Sequence, residues 1–126
     1  MINLAYKKTG ALLVLAGGEN IERHLEGTIT LDAIISQELI ESIFDPSSPG
    51  HDGAMFIMNN RIRSIGAHLP LSHNIEQLGK HGTRHAAALG ISERSDSLAI
   101  VVSEERGTIS IAQDGKLERI EDCVVC

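Results

Sequence analysis

Residues Gly10 to Ala16 read GALLVLA, an unbroken apolar run closed by Gly17-Gly18-Glu19-Asn20. A run this short and without polar alternation reads as a buried strand, and the glycine pair as the turn that ends it. It is far too short to cross a bilayer, and no signal-peptide pattern precedes it. A buried strand needs neighbours, and the chain supplies them. Ala54–Met58 (AMFIM) and Arg61–Ala67 (RIRSIGA) flank Asn59-Asn60, a pair that tolerates positive φ and closes a hairpin. Ser97–Ser103 (SLAIVVS) is another buried strand. Thr108–Gln113 and Lys116–Ile120 form a last hairpin around Asp114-Gly115.

Helices fall between these strands. Leu31, Ile34, Ile35, Leu39 and Phe44 keep near-helical spacing, which predicts a helix from Leu31 with Thr30 as N-cap and Asp32 at its positive end. Asp45-Pro46-Ser47-Ser48-Pro49-Gly50 stops it, because neither proline can donate within a helix. After a loop at Leu69-Pro70-Leu71-Ser72, a short helix covers Ile75 to Lys80. A second begins near Thr83, runs through the alanines and ends at Gly90. With about five to seven strands, the fold class is α/β (α+β): a mixed central β-sheet flanked by helices. One globular domain accounts for residues 1–126, with a core over about 8–118 and a short tail at 119–126.

Eleven Lys and Arg against seventeen Asp and Glu leave a formal charge of −6, which excludes a nucleic-acid backbone as partner. A small anion stays open, since it needs only a few local cations and N–H donors. The two cysteines, Cys123 and Cys126, build no disulfide framework and read as an unremarkable reduced pair in a cytoplasmic protein. Gly79-Lys80 is not a phosphate-loop ending, because His81 stands where Ser or Thr is required. The six histidines show no zinc-hydrolase spacing.

Three polar clusters fall at strand ends or a helix start, where rigid scaffolds present reactive groups. In His51-Asp52-Gly53-Ala54, Asp52 can act as a base or hard metal ligand beside His51, while Gly53 admits a close approach to the backbone; Asp-Gly is equally a common turn. In Gly82-Thr83-Arg84-His85, a helix N-terminus, a hydroxyl and a guanidinium can converge on a phosphate, or simply open a helix with a solvated Arg. In Ser103-Glu104-Glu105-Arg106-Gly107, paired carboxylates can hold a divalent cation, or serve as charged turn residues. Together the clusters supply the parts for metal-assisted phosphoryl or nucleotidyl transfer.

In this order, the clusters resemble the diadenylate cyclase domain, which makes cyclic di-AMP from two ATP molecules. The resemblance runs from about Lys8 to about Leu117. It is carried by KKTGALLVL, by LDAIISQELIESIF leading into PSSPGHDGA, by LPLS, by GTRHAAALGISERSD and by VVSEERGTISIAQDGKL. It is strongest to the catalytic part of the membrane-tethered members, whose transmembrane helices precede the matching segment. The resemblance implies that Asp52, within the Asp52-Gly53-Ala54 motif, lies beside the ribose 3′-hydroxyl. It implies a divalent metal (Mg²⁺, Mn²⁺ or Co²⁺) on His51, Asp52 and Glu104. It assigns the triphosphate to Thr83, Arg84 and His85, the rest of the pocket to Ser103 and Glu105, and an adenine contact to the Leu69 backbone. It further implies a homodimer with two ATP sites face to face, a cytoplasmic location, and any membrane tether upstream rather than in these residues.

Two departures stand out. Ala86 occupies a position where the family commonly has a second arginine, and His68 precedes the Leu69 loop where relatives often carry an aromatic ring. Ala86 motivates the alternative of a non-catalytic module that binds ATP or a cyclic dinucleotide. A metal-dependent phosphohydrolase ranks last, because no residue is evidently placed to bind a nucleophilic water.

Overall fold

The structure is a computed structural model that describes residues 9–19 and 21–120; the Cys123–Cys126 pair lies outside the described residues. Seven strands form one sheet: β1 (Ala11–Leu15), β2 (Ile29–Ile34), β3 (Ala54–Met58), β4 (Arg61–Ala67), β5 (Leu98–Val102), β6 (Ile109–Gln113) and β7 (Lys116–Arg119). Their order is β2-β4-β3-β1-β5-β6-β7. The apolar run that opens the chain is thus the middle strand. Leu13 lies opposite Met55 of β3 in a parallel ladder and opposite Ile100 of β5 in an antiparallel one. The other ladders are antiparallel, so the sheet is mixed as the sequence predicts.

A central strand buried on both faces needs a cover on each. The helices are α1 (Gln37–Phe44), α2 (Ile75–Leu78) and α3 (Thr83–Arg94). Ala87, Ala88 and Ile91 of α3 pack with Leu12, Val14, Phe56, Ala99 and Val101 on one face. Ile43 and Phe44 of α1 pack with Ala11, Leu13, Met55, Ile57 and Ile62 on the other. The small alanine side chains let α3 lie close to the strands, which fixes its N-terminus near the sheet end.

Both predicted hairpins form, with Asn59, Asn60, Asp114 and Gly115 all at positive φ. The helix predicted from Leu31 is corrected. Residues 29–34 are the edge strand β2, and the helix starts only after Ser36, whose Oγ accepts from the Leu39 N–H at 3.1 Å. Thr30 is no N-cap, and Asp32, at φ 49°, sits at an irregularity of β2 where its carboxylate receives Arg61 Nε at 2.7 Å. The misleading signal came from Leu31, Ile34 and Ile35, which are exposed on the edge strand and its exit rather than aligned on a helix. The stop at Asp45 holds.

Gly90 does not end α3, which continues to Arg94. A Cβ there would overlap the Pro70 carbonyl oxygen and lie 2.8 Å from its carbon and 3.0 Å from Ser72 N. The glycine is a docking point for the Leu69–Ser72 loop. Ser72 clamps the same contact, donating its N–H to the Ala86 carbonyl at 2.9 Å and its hydroxyl to Glu93 at 2.8 Å. Gly90→Ala is expected to destabilise the fold by about 1–3 kcal/mol through overpacking, despite alanine's better helix propensity. Chemical denaturation reads this directly, and equal or greater stability of the variant contradicts the close approach.

Candidate functional site

Strand direction gathers the three clusters. Ala11, at the start of β1, pairs with Val102 at the end of β5, and Ala54, at the start of β3, pairs with Ala67 at the end of β4. The entry to β3 and the exits from β4 and β5 therefore emerge at one end of the sheet, and the N-terminus of α3 meets them there. Between them lies a pocket of about 670 Å³, within the usual range for small-molecule sites.

Asp52, Gly53, Ala54, Leu69, Thr83, Arg84, His85, Ser103, Glu104 and Glu105 all line it. His51 does not; it stands behind Asp52. Among the contributors that escaped the sequence reading are Lys80, His81, Arg106 and Leu71. The spacing of His81 and His85 was the available signal for one of them. Their rings stack with centroids 4.0 Å apart at an interplanar angle of 16°. His68, the departure noted above, lines the pocket and is exposed, so its ring is open to a planar ligand.

Gly53 has a structural duty. A Cβ there would lie 2.5 Å from Gly66 Cα, so the close approach it permits is that of β4, which turns at Gly66 with φ +68°. This lock fixes where Asp52 leaves the sheet. Ser103 is likewise engaged: its Oγ accepts from the Arg106 N–H at 3.2 Å, and its carbonyl accepts from the Gly107 N–H at 2.9 Å. The Glu104–Arg106 turn is thereby held to the end of β5.

The electrostatics favour an anion. Gly82 caps α3 without a side-chain partner, leaving the positive end of a twelve-residue helix at the pocket. Arg84 lies across Gly10, where a Cβ would come 2.5 Å from Nη1. Its Nη1 stands 3.6 Å from a Glu104 carboxylate oxygen, and its buried Nε has no partner. His85 is buried, and its Nε2 also lacks a partner. Burial first, and then the charges of His81, Arg106 and Arg84, hold its pKa down to about 4. At pH 7 the ring is a neutral imidazole, able to donate one N–H and accept at the other nitrogen. Buried polar atoms without partners at a cationic pocket wall are costly unless a ligand completes them.

The residues proposed for a divalent metal converge only in part, and no cluster of three potential ligands occurs among the described residues. His51 Nδ1 lies 2.7 Å from the Ser48 carbonyl. A carbonyl only accepts, so that nitrogen carries a proton. Nε2 then points at Asp52 Oδ1, 3.0 Å away. A nitrogen and a carboxylate oxygen held face to face suit two ligands of one cation, with the Ser48 bond orienting the ring. Glu104 is turned to Arg84 instead. One carboxylate with the rest of the shell from substrate phosphates and water is an ordinary arrangement for Mg²⁺, and an imidazole nitrogen beside it suits a transition metal better, so the residues fit a cation that arrives with a nucleotide.

Residues 1–117 match the family model for the DAC domain, described as the DisA bacterial checkpoint controller nucleotide-binding domain. Over 116 residues the chain is 44% identical to the cyclic di-AMP synthase CdaA of Bacillus subtilis, covering 92% of this chain and 42% of that protein. Over 118 residues it is 45% identical to the diadenylate cyclase CdaS of Bacillus thuringiensis, covering 94% and 59%. It thus spans about half the length of the curated relatives it matches. Among solved structures, a double mutant of DacA from Staphylococcus aureus superposes with a TM-score of 0.91 at 42% identity, over 98% of this chain and 83% of that one. No helix among the described residues is long and apolar enough to cross a membrane.

Proposed function

This chain belongs to the DAC family, and from that premise we propose that it condenses two ATP molecules into cyclic di-AMP with release of two pyrophosphates. The observation that carries the reading is the convergence of the HDGA, GTRH and SEER segments on one pocket whose wall holds unpartnered, buried Arg84 and His85 atoms.

In this reading the triphosphate lies on the N-terminus of α3, with Thr83, Arg84 and His85 as donors. Adenine packs at the Leu69 backbone beside His68. Asp52 stands at the exposed rim, where it accepts the proton of an incoming 3′-hydroxyl. The 3′-oxygen forms a bond to the α-phosphorus in line, and the bond to pyrophosphate breaks. Arg84 and the helix dipole stabilise the charge growing on the phosphoryl oxygens. A divalent cation (Mg²⁺, Mn²⁺ or Co²⁺) would be held by His51, Asp52 and Glu104 and would supply further neutralisation of the phosphate charge. A 3′-hydroxyl cannot reach its own α-phosphorus to make this product, so two copies meet with their pockets face to face, each nucleotide attacking the other. Two-fold symmetry of the dimer matches that of the product. The cytoplasm supplies the ATP.

Incubation with ATP and each of the three metals, followed by chromatography, is expected to yield cyclic di-AMP. Free phosphate or AMP instead marks a phosphohydrolase. Ala86 supports one further reading, a nucleotide-binding module without turnover. Ala86→Arg separates the two: turnover that rises by less than about tenfold fits a working site, and turnover that appears only in the variant fits a disabled one.

A further inference from the structure

Arg106 stands out among the pocket's cations. It lines the pocket on the turn after β5, across the sequence from the α3 residues that carry Arg84 and His85. Arg61, Arg63, Arg84 and Arg94 each face a carboxylate, whereas Arg106 has no ion-pair partner among the described residues, although Glu104 and Glu105 are its neighbours in the turn. Its charge reaches His81 and His85 and disfavours protonation of both. A guanidinium beside two imidazoles and near a second arginine contributes nothing favourable to the empty fold; an anion between them reverses that balance.

The turn that bears Arg106 is also fixed. Its N–H donates to Ser103 Oγ at 3.2 Å, Gly107 N–H donates to the Ser103 carbonyl at 2.9 Å, and Ser103 N–H donates to the Thr108 carbonyl at 2.9 Å. Lys80 is the other cation of the wall without an ion-pair partner among the described residues, but it sits in the four-residue link between α2 and α3 and offers a point charge. Arg106 offers a planar fork on a pinned turn, the better match to phosphate oxygens.

We propose that Arg106 is a substrate-contacting residue that holds the phosphate chain of the nucleotide from the β5 side while Arg84 and His85 hold it from α3. The inference rests on the ATP reading above and adds a residue to it.

The test measures binding of ATP and of adenosine to wild type, Arg106→Ala and Arg106→Lys in the presence of Mg²⁺, by calorimetry. The Arg106 side chain is exposed and its turn contact is made by backbone, so the variants are expected to unfold at the wild-type temperature. Arg106→Ala should weaken ATP by about tenfold or more, the size of a charge-assisted contact, and leave adenosine unchanged, with Arg106→Lys in between. An ATP affinity within twofold of wild type overturns the proposal, and so does an equal loss for ATP and adenosine, which would mark a structural role. Wild-type protein that binds no ATP overturns the nucleotide reading itself, so the two failures are distinct.

Discussion

Asp52→Asn is expected to lower the rate of cyclic di-AMP formation by about 10²–10⁴-fold, the usual contribution of a positioned general base, while ATP binding persists. The substitution keeps the side chain's shape and removes its charge. The Asp52 side chain contacts His51 Nε2 at 3.0 Å; otherwise it touches little, being 78% exposed, and the geometry that places it comes from Gly53 against Gly66, which the variant leaves alone. Single-turnover kinetics alongside equilibrium binding separate the two effects. A variant within about tenfold of wild type removes Asp52 from the chemistry and returns Asp52-Gly53 to an ordinary turn.

Arg84→Ala is the second large effect, with an expected loss of about 10²–10³-fold in kcat/KM, comparable to removal of one preorganised oxyanion donor. Arg84 is two-fold committed to the site: its Nε is buried without a partner, and its Nη1 faces Glu104 at 3.6 Å. In the proposed reaction the guanidinium contacts phosphate in both the bound substrate and the transition state, so KM should rise as kcat falls. Arg84→Lys should recover only a minor part, because an ammonium cannot present two parallel donors. Steady-state kinetics of the three proteins check this, and full activity of the lysine variant contradicts the bidentate role.

The parts of the fold that were legible in the sequence are those decided locally. Asn59-Asn60 and Asp114-Gly115 adopt positive φ, a preference of the residues themselves, and the apolar runs are the buried strands. Where tertiary context decides, reading failed. Leu31, Ile34 and Ile35 share helical spacing, yet they belong to an edge strand and its exit that pairs with β4 through Ile29 opposite Ile65. Gly90 has the look of a helix stop, but its reason lies in Pro70, twenty residues earlier in the chain.

The site follows the same division. Asp52, Arg84, His85 and Glu104 sit in segments whose composition suggests chemistry, and their order resembles one family. Their convergence depends on β1 running parallel to β3 and antiparallel to β5, which no single segment encodes. Arg106 lay inside the Ser103–Gly107 cluster but was given no role, because a charge in a charged turn is ordinary until the pocket around it is known. Glu104 was read as a metal ligand, and the structure pairs it with Arg84 at 3.6 Å.

The most direct measurement is a mass balance. Wild-type protein is incubated with ATP and Mg²⁺, Mn²⁺ or Co²⁺, and every nucleotide and phosphate species is quantified. One cyclic di-AMP for each two pyrophosphates released, with no AMP or free phosphate, is the predicted result. ATP that binds yet yields no cyclic dinucleotide with any of the three metals contradicts it.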